Sequence, residues 1–86
     1  MKTITTASGF TCELDEDRLN DMELFDAICD LSDGRRTALP VVVNKIMGRE
    51  KKRLYDHLRA ENGTVPVDRV TEEVFEILKA LGGKNS

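Results

Sequence analysis

The sequence is poor in the side chains from which most catalytic and metal sites are built. It contains no Trp, one Tyr, one His and two Cys among its 86 residues. Cys12 and Cys29 fit no CxxC pattern and have no His near them in sequence, which favours free thiols over a metal site or a redox pair. His57 has no nucleophile signature to accompany it as a general base, and no glycine-rich phosphate loop is present. We therefore expect no enzyme activity, no catalytic residue, no metal and no cofactor.

Long hydrophobic segments are also absent. No apolar run approaches the roughly 18 residues that cross a bilayer, and the first ten residues lack the hydrophobic region of a signal peptide. We therefore expect a soluble protein of the cytoplasm that does not contact a membrane. An apolar content of 40% with only three Phe predicts one small domain with a thin core, so self-association is a natural source of additional stability.

Charge is distributed in blocks behind a net charge of −3. Residues 1–33 carry nine acidic and two basic side chains, residues 34–59 carry two acidic and eight basic ones, and the remainder carries five acidic and three basic ones. The three blocks therefore have net charges of −7, +6 and −2. Opposite blocks can pair within one molecule or head to tail between copies, and the sequence alone leaves both arrangements open.

β-Branched and aromatic residues on both sides of Gly9 predict a hairpin at the start of the chain. A two-residue loop would pair Ile4 with Glu13 and place a charge on the apolar face. A three-residue loop over residues 7–9 pairs Ile4 with Cys12 instead, and Gly9 supplies the left-handed residue that such loops need. We therefore predict the three-residue loop. The residues that then share one face are Ile4, Phe10, Cys12 and Leu14.

Apolar residues at three- and four-residue steps predict four helices after the hairpin. The predicted elements are the hairpin at 2–14 and helices over about residues 16–32, 38–47, 49–61 and 71–82. The fold class is therefore α+β and mostly α, in one compact domain over residues 1–82 with a flexible tail at 83–86. The predicted buried faces of the helices are Leu19, Met22, Phe25, Ile28 and Cys29; Leu39, Val42, Val43, Ile46 and Met47; Leu54, Tyr55 and Leu58; and Val74, Ile77, Leu78 and Leu81.

Polar residues and glycines predict where these helices begin and end. Thr37 is the predicted N-cap of the second helix, with Pro40 tolerated in its first turn. Asn62-Gly63 is predicted to end the third helix in a left-handed stop, and Thr71 to begin the fourth. Asn20 has a capping-box spacing to Glu23, which predicts a false start of the first helix before its main body.

The acid-flanked Asn-Gly within residues 54–74 invites comparison with a calcium loop. If Gly63 were the sixth residue of such a loop, Asn62 would be a ligand and Arg69 would occupy the position of the bidentate glutamate. That set of groups cannot hold calcium. The segment is instead predicted to be a joint between two helices, in which Val65 and Val67 fill the gap.

Nucleic-acid binding is the main alternative that the residues themselves raise. Residues 49–60 form a basic helix that is preceded by a glycine turn, which is the pattern of a DNA-binding regulator with a helix-turn-helix. The protein as a whole is acidic, and the block of −7 is large enough to cancel or cover the basic face. A solvated or partner-binding helix is therefore favoured over a nucleic-acid reader.

Three features resemble the tail assembly chaperones encoded by phages and prophages of Gram-positive bacteria. They are the segments SGFTCELDEDRLNDMELFDAI and MGREKKRLYDHLRAENGTVPVDRVTEEVFEIL, and the overall length. The resemblance implies a non-enzymatic protein of the host bacterial cytoplasm that binds the tape measure protein and recruits major tail protein subunits. It also implies that a frameshifted longer form accompanies the short one. The family has no shared catalytic or ligand-binding residues to transfer, and a generic protein-interaction adaptor remains an alternative.

If one surface binds the partner, the sequence favours the third helix. Arginine and aromatic residues dominate the energetics of protein interfaces, and this helix contains several arginines and the single tyrosine of the chain. The predicted partner-binding residues are Arg49, Lys52, Arg53, Tyr55 and Arg59.

Overall fold

The computed structural model describes residues 1–82 as a two-stranded antiparallel hairpin followed by helices. The strands are β1 (Lys2–Thr5) and β2 (Thr11–Leu14), and the α-helices are α1 (Met22–Ser32), α2 (Leu39–Met47), α3 (Lys51–Leu58) and α4 (Val67–Gly82). Short 3-10 turns at Glu16–Leu19, Arg36–Ala38 and Gly48–Glu50 lead into α1, α2 and α3. The predicted class, α+β and mostly α, is confirmed. The predicted tail at 83–86 lies outside the described residues.

The hairpin has the predicted register. Ile4 pairs with Cys12, and the amide of Gly9 donates a hydrogen bond to the carbonyl of Thr6 at 2.9 Å, which closes the three-residue loop. Gly9 has a φ of 92°, in the left-handed region that favours glycine. The four residues of the predicted apolar face, Ile4, Phe10, Cys12 and Leu14, are all buried. Alternation of apolar and polar residues was sufficient to fix this element.

The first predicted helix, over residues 16–32, is two elements in the structure. A 3-10 turn ends at Leu19, and α1 begins only at Met22 because Asp21 has an extended backbone and caps it. The carboxylate of Asp21 accepts hydrogen bonds from the amides of Glu23 and Leu24 at 2.9 and 3.3 Å. The false start is therefore present, but the cap is Asp21 and not Asn20.

Helix α1 is also rotated relative to the prediction. Its buried residues are Leu24, Ala27 and Leu31, whereas the predicted core residues Met22, Phe25 and Cys29 are exposed. The predicted residues Leu19 and Ile28 are partly buried and pack against the core. The prediction for this face was wrong because the helix has two apolar stripes. The fold buries the stripe through Leu24 and Leu31 and leaves the predicted stripe through Met22 and Phe25 exposed.

Helix α2 follows the prediction closely at its core face but not at its start. Leu39, Val42, Val43, Ile46 and Met47 are all buried, as predicted. Thr37, however, lies inside the preceding 3-10 turn and does not cap the helix, which begins without a side-chain cap. Pro40 lies in the first turn, where its missing amide hydrogen leaves no bond unmade. Gly48 ends the helix with a φ of 52° and a ψ of −120°, a backbone conformation that residues other than glycine rarely adopt.

Helix α3 is shorter than the predicted 49–61. It begins at Lys51 after the 3-10 turn and ends at Leu58, because Arg59 is already extended. Asn62 and Gly63 belong to a separate turn, in which the amide of Ala60 donates to the carbonyl of Thr64 at 2.7 Å. Gly63 has the left-handed φ expected of it, at 91°, but it is not the helix stop.

Helix α4 begins at Val67, four positions before the predicted start at Thr71. Pro66 directly precedes it, and Asp68 provides the acidic residue of its first turn. Thr71 lies within the helix, where its hydroxyl donates to the carbonyl of Val67 at 2.9 Å. Val67 is exposed and therefore does not fill the gap between α3 and α4, although Val65 does pack against the core. Val70, which the predicted start would leave outside the helix, lies within it and is buried.

One hydrophobic core joins all of these elements. Its fully enclosed side chains come from the hairpin and from each helix, and include Leu14, Leu24, Ile46, Leu54 and Ile77. Helix α1 contacts both α2 and the 3-10 turn that precedes α2, and the small side chains of Ala27 and Ala38 are buried as well. No helix within residues 1–82 combines the length and the apolar character that crossing a bilayer requires.

Candidate functional site

The structure distributes the five predicted partner-binding residues around α3 and does not gather them into one patch. Arg53 turns toward the hairpin, where its Nη2 donates to the carbonyl of Thr11 at 2.6 Å and its guanidinium lies 4.9 Å from the centroid of the Phe10 ring. It also pairs with Glu50. Tyr55 is two positions further along the helix and therefore faces away from Arg53. Arg53 is thus part of the contact between α3 and the hairpin.

The cations on the outward face of α3 share one carboxylate. Asp56 pairs with Lys52 at 3.1 Å and with Arg59 at 2.9 Å. The hydrogen bonds from Arg59 and Lys52 hold the pKa of Asp56 below its ordinary value. Arg59 also donates to the carbonyl of Gly63 at 2.9 Å, which ties the end of α3 to the following turn.

The other two predicted partner-binding residues, Tyr55 on α3 and Arg49 before it, make fewer contacts. Tyr55 is half-buried against the core, with the ammonium group of Lys51 at 6.0 Å from its ring centroid. Arg49 is exposed in the 3-10 turn before α3 and forms no ion pair with another residue of 1–82. The basic helix therefore offers one unpaired arginine and a partly covered tyrosine to a partner.

A different surface stands out on α1. Met22 and Phe25 are 66% and 57% exposed, and Cys29 on the next turn is exposed as well. Their spacing of i, i+3 and i+7 places the three side chains along one face of the helix. Large apolar side chains in a row on the surface are informative, since single exposed ones are common but contiguous ones mark interaction sites. We call Met22, Phe25 and Cys29 the apolar row.

A second row of residues lies beside the apolar row. Glu23, Asp26 and Asp30 each directly follow one of its members, and a step of one residue turns an α-helix by about 100°. We call these three residues the acidic row. They border a groove of about 390 Å³ between α1 and α2, which also exposes Val41. Apolar anchors and a charged border thus lie on one continuous side of the molecule.

Two cations partly neutralise this border. Lys45 on α2 reaches the carboxylates of Asp21 and Glu23 at 3.1 and 3.3 Å, and Arg35 pairs with Asp30 at 3.1 Å. The hydrogen bonds with Lys45 and the amide of Leu24 lower the pKa of Asp21, while Asp21 and Glu23 raise the pKa of Lys45. Asp26 forms no ion pair with another residue of 1–82 and remains available to a partner.

A polar cluster joins the hairpin loop to α3 and α4. The hydroxyl of Ser8 lies 2.8 Å from the Glu73 carboxylate and 3.1 Å from Nε2 of His57. The carboxylate therefore accepts from the hydroxyl groups of Ser8 and Thr6 and does not orient the imidazole. A catalytic triad has the opposite order, with the acid bonded to the histidine, so this geometry serves to anchor the loop.

Glu73 was not identified from the sequence as a buried residue. It lies in a predicted acidic first turn, where an exposed glutamate at the helix N-terminus is the usual outcome. The early start of α4 moves Glu73 into the second turn, on the same face as the buried Val70 and Ile77. The sequence signal for this burial was the spacing of Glu73, three residues after Val70 and four before Ile77, which places it on the apolar face of the helix.

The cysteines and the acids do not assemble into a metal site. Cys12 is buried and Cys29 is exposed, and within residues 1–82 no group of three potential ligands is close enough to hold a metal ion. Burial raises the pKa of the Cys12 thiol above its ordinary value.

Comparison of the chain with models of protein families, with curated proteins and with solved structures gave no match.

Proposed function

We propose that this chain is a non-enzymatic tail assembly chaperone that binds a tape measure protein and recruits major tail protein subunits. The sequence resemblance supplies the biological setting, in the cytoplasm of a bacterium that carries the phage or prophage. The structure supplies a surface of the kind that protein binding requires. The observation that carries the proposal is the exposure of Met22 and Phe25 on one face of α1.

These two residues forgo the stabilisation that burial would give unless a partner covers them. Burying a Met or Phe side chain stabilises a fold by roughly 1.5–3 kcal/mol, yet α1 buries Ala27 and leaves both larger residues in water. A methionine and an aromatic residue side by side also form an adaptable surface, which suits a chaperone that must accept a client with several similar helical segments. The apolar row therefore supports protein binding as the task of this helix.

The charges on α3 favour a protein partner over DNA. A DNA-binding helix presents its cations to phosphates, whereas Lys52, Arg53 and Arg59 each pair with an acidic residue of their own segment. The paired cations would have to exchange these partners for phosphates.

Co-expression with the tape measure protein encoded beside the chain tests the proposal. We expect the tape measure protein to remain in the soluble fraction with the wild-type chain, to precipitate without it, and to co-purify with it. Phe25→Ala should reduce co-purification, while Val67→Ala, which truncates another exposed apolar residue, on α4, should not. A tape measure protein that stays insoluble and does not co-purify would contradict the proposal. A mobility shift with DNA at physiological salt that Lys52→Glu and Arg53→Glu abolish would establish the regulator instead.

A further inference from the structure

We propose that the apolar row and the acidic row of α1 together form the docking site for one kind of partner, an amphipathic helix with lysines or arginines beside its apolar anchors. This inference rests on the proposed protein-binding function and specifies the chemistry of its partner. It also moves the binding site from the basic helix α3, where the sequence analysis predicts it, to the acidic helix α1.

The arrangement of the two rows matches the surface of a helix. The members of each row follow the spacing i, i+3, i+7, so each row runs along α1 for about two turns. A partner helix can place its apolar residues, at i, i+3, i+4 and i+7, over Met22 and Phe25. The residues beside that apolar stripe of the partner then lie next to the acidic row. One pairing of helices therefore engages both rows at once.

The charge of α1 selects a basic partner. Residues 19–34 contain no Lys or Arg and five carboxylates, at Asp21, Glu23, Asp26, Asp30 and Asp33. Lys45 and Arg35 are the two cations that pair with them within residues 1–82, and five carboxylates against two cations leave an excess of three negative charges. Complementary charge steers a partner to the site and sets its orientation, and like charge excludes the wrong partner.

A second copy of the chain fits this face poorly. A symmetric dimer through α1 would place the acidic row of one copy beside that of the other. Helix α3 of a second copy is basic, but Leu54 and Leu58 are buried in its own core and Tyr55 is half-buried, so it presents no row of apolar anchors to Met22 and Phe25. The remaining large exposed apolar residues of 1–82 do not form a row, since Met1 precedes β1, Val41 lies on α2 and Val67 lies on α4.

Two synthetic peptides test the inference directly. Each has about 20 residues, which exceeds the length of about 12–15 residues below which an isolated helix is marginal in water, with leucines at i, i+3, i+4 and i+7. One peptide carries lysines beside the leucines, and the other carries glutamates at the same positions. We expect the lysine peptide to bind the full chain at least about ten-fold more tightly than the glutamate peptide, with an affinity that falls as salt is added.

Three variants locate the bound peptide. Phe25→Ala should weaken binding of the lysine peptide about ten-fold or more, and Asp26→Asn should weaken it by a smaller factor and reduce its dependence on salt. Val67→Ala should leave binding unchanged, and circular dichroism should show that all three variants keep the wild-type helix content. The bound peptide should also slow the reaction of the Cys29 thiol with a maleimide, since Cys29 belongs to the apolar row.

Each contrary result has a distinct meaning. Equal binding of the two peptides would overturn the assignment of a basic partner. Binding that is insensitive to Phe25→Ala would place the site elsewhere. A dimer in sedimentation that Phe25→Ala dissociates would assign the face to a second copy. If the chain keeps the tape measure protein in solution but the lysine peptide fails to bind, the proposed function stands and this inference fails. If the lysine peptide binds α1 but the tape measure protein does not bind the chain, this inference stands and the proposed function fails.

Discussion

The carboxylate of Glu73, in the second turn of α4, accepts a hydrogen bond from the hydroxyl of Thr6 in the hairpin loop. Both residues are buried, with Glu73 5% and Thr6 4% exposed, although they are 67 positions apart in the chain. Ser8 donates to the same carboxylate at 2.8 Å, and the amide of Ala7 donates to Glu76 at 2.7 Å, one turn further along α4. The two ends of the described chain are therefore held together by polar contacts with the hairpin loop.

We expect Glu73→Ala to destabilise the protein by about 1–3 kcal/mol, because the buried Thr6 hydroxyl would lose its carboxylate acceptor and Ser8 would lose its contact with α4. For a domain of this size, such a loss lowers Tm by at least about 4 °C. Glu72→Ala is the matched control, since it removes the neighbouring, exposed glutamate and should change stability by less than about 0.5 kcal/mol. Thermal unfolding followed by circular dichroism measures both, and equal Tm values for the two variants would contradict the buried contact.

The rotation of α1 predicts opposite effects for two adjacent residues. Leu24→Ala should cost about 2–5 kcal/mol because it opens a cavity in the core, whereas Phe25→Ala should change the free energy of unfolding by less than about 0.5 kcal/mol. Urea unfolding measures both values. If Phe25→Ala proved the more destabilising variant, the helix would present its Met22–Phe25 face to the core, and the apolar row would not be a surface.

Asp21 should make stability depend on pH through its contact with Lys45. The pKa of Asp21 is lowered in the folded protein, so its charge stabilises the fold fully above the ordinary value of 3.8, and this contribution is lost as pH falls through the lower folded value. Asp21→Asn keeps an N-cap oxygen but removes the charge. We therefore expect the Tm of Asp21→Asn to lie below that of the wild type at pH 7 and the difference to shrink below pH 4.

A variant with the same change of charge serves as the control for this experiment. Asp17→Asn removes an exposed acid from the 3-10 turn that forms no ion pair with another residue of 1–82. Its Tm should differ less from the wild type at pH 7 than that of Asp21→Asn does. A difference for Asp21→Asn that stayed constant from pH 7 to pH 3 would show that the carboxylate charge has no part in it.

The two thiols should react at very different rates. Cys29 is exposed, while Cys12 is buried and burial raises the pKa of its thiol, which lowers the fraction of reactive thiolate. With a chromogenic disulfide reagent at neutral pH, we expect one thiol to react at once and the second only after denaturant is added. Cys29→Ser should abolish the fast phase alone. Two fast thiols in the native protein would show that the hairpin does not protect Cys12.

The sequence by itself determined the elements in which a local rule has one solution. In the hairpin, only the three-residue loop puts Ile4 opposite Cys12 and keeps Glu13 off the apolar face, so the register followed from alternation. The core face of α2 followed in the same way, because its apolar residues form a single stripe. The existence and order of all four helices were predictable from their helical periodicity, while their ends shifted by up to six residues, the largest shift being the start of α1 at Met22.

The tertiary structure decided the features for which the sequence offers two solutions of similar merit. Helix α1 has one apolar stripe through Met22 and Phe25 and another through Leu24 and Leu31, with the same helical spacing. The second stripe is the one that lies in the core shared by the hairpin and the helices, and this choice is made only when the elements pack together. The burial of Glu73 likewise depends on the hairpin loop, which supplies hydroxyl groups from the far end of the described chain. Local patterns fix a helix, but the partner that packs against it selects the face that remains in water.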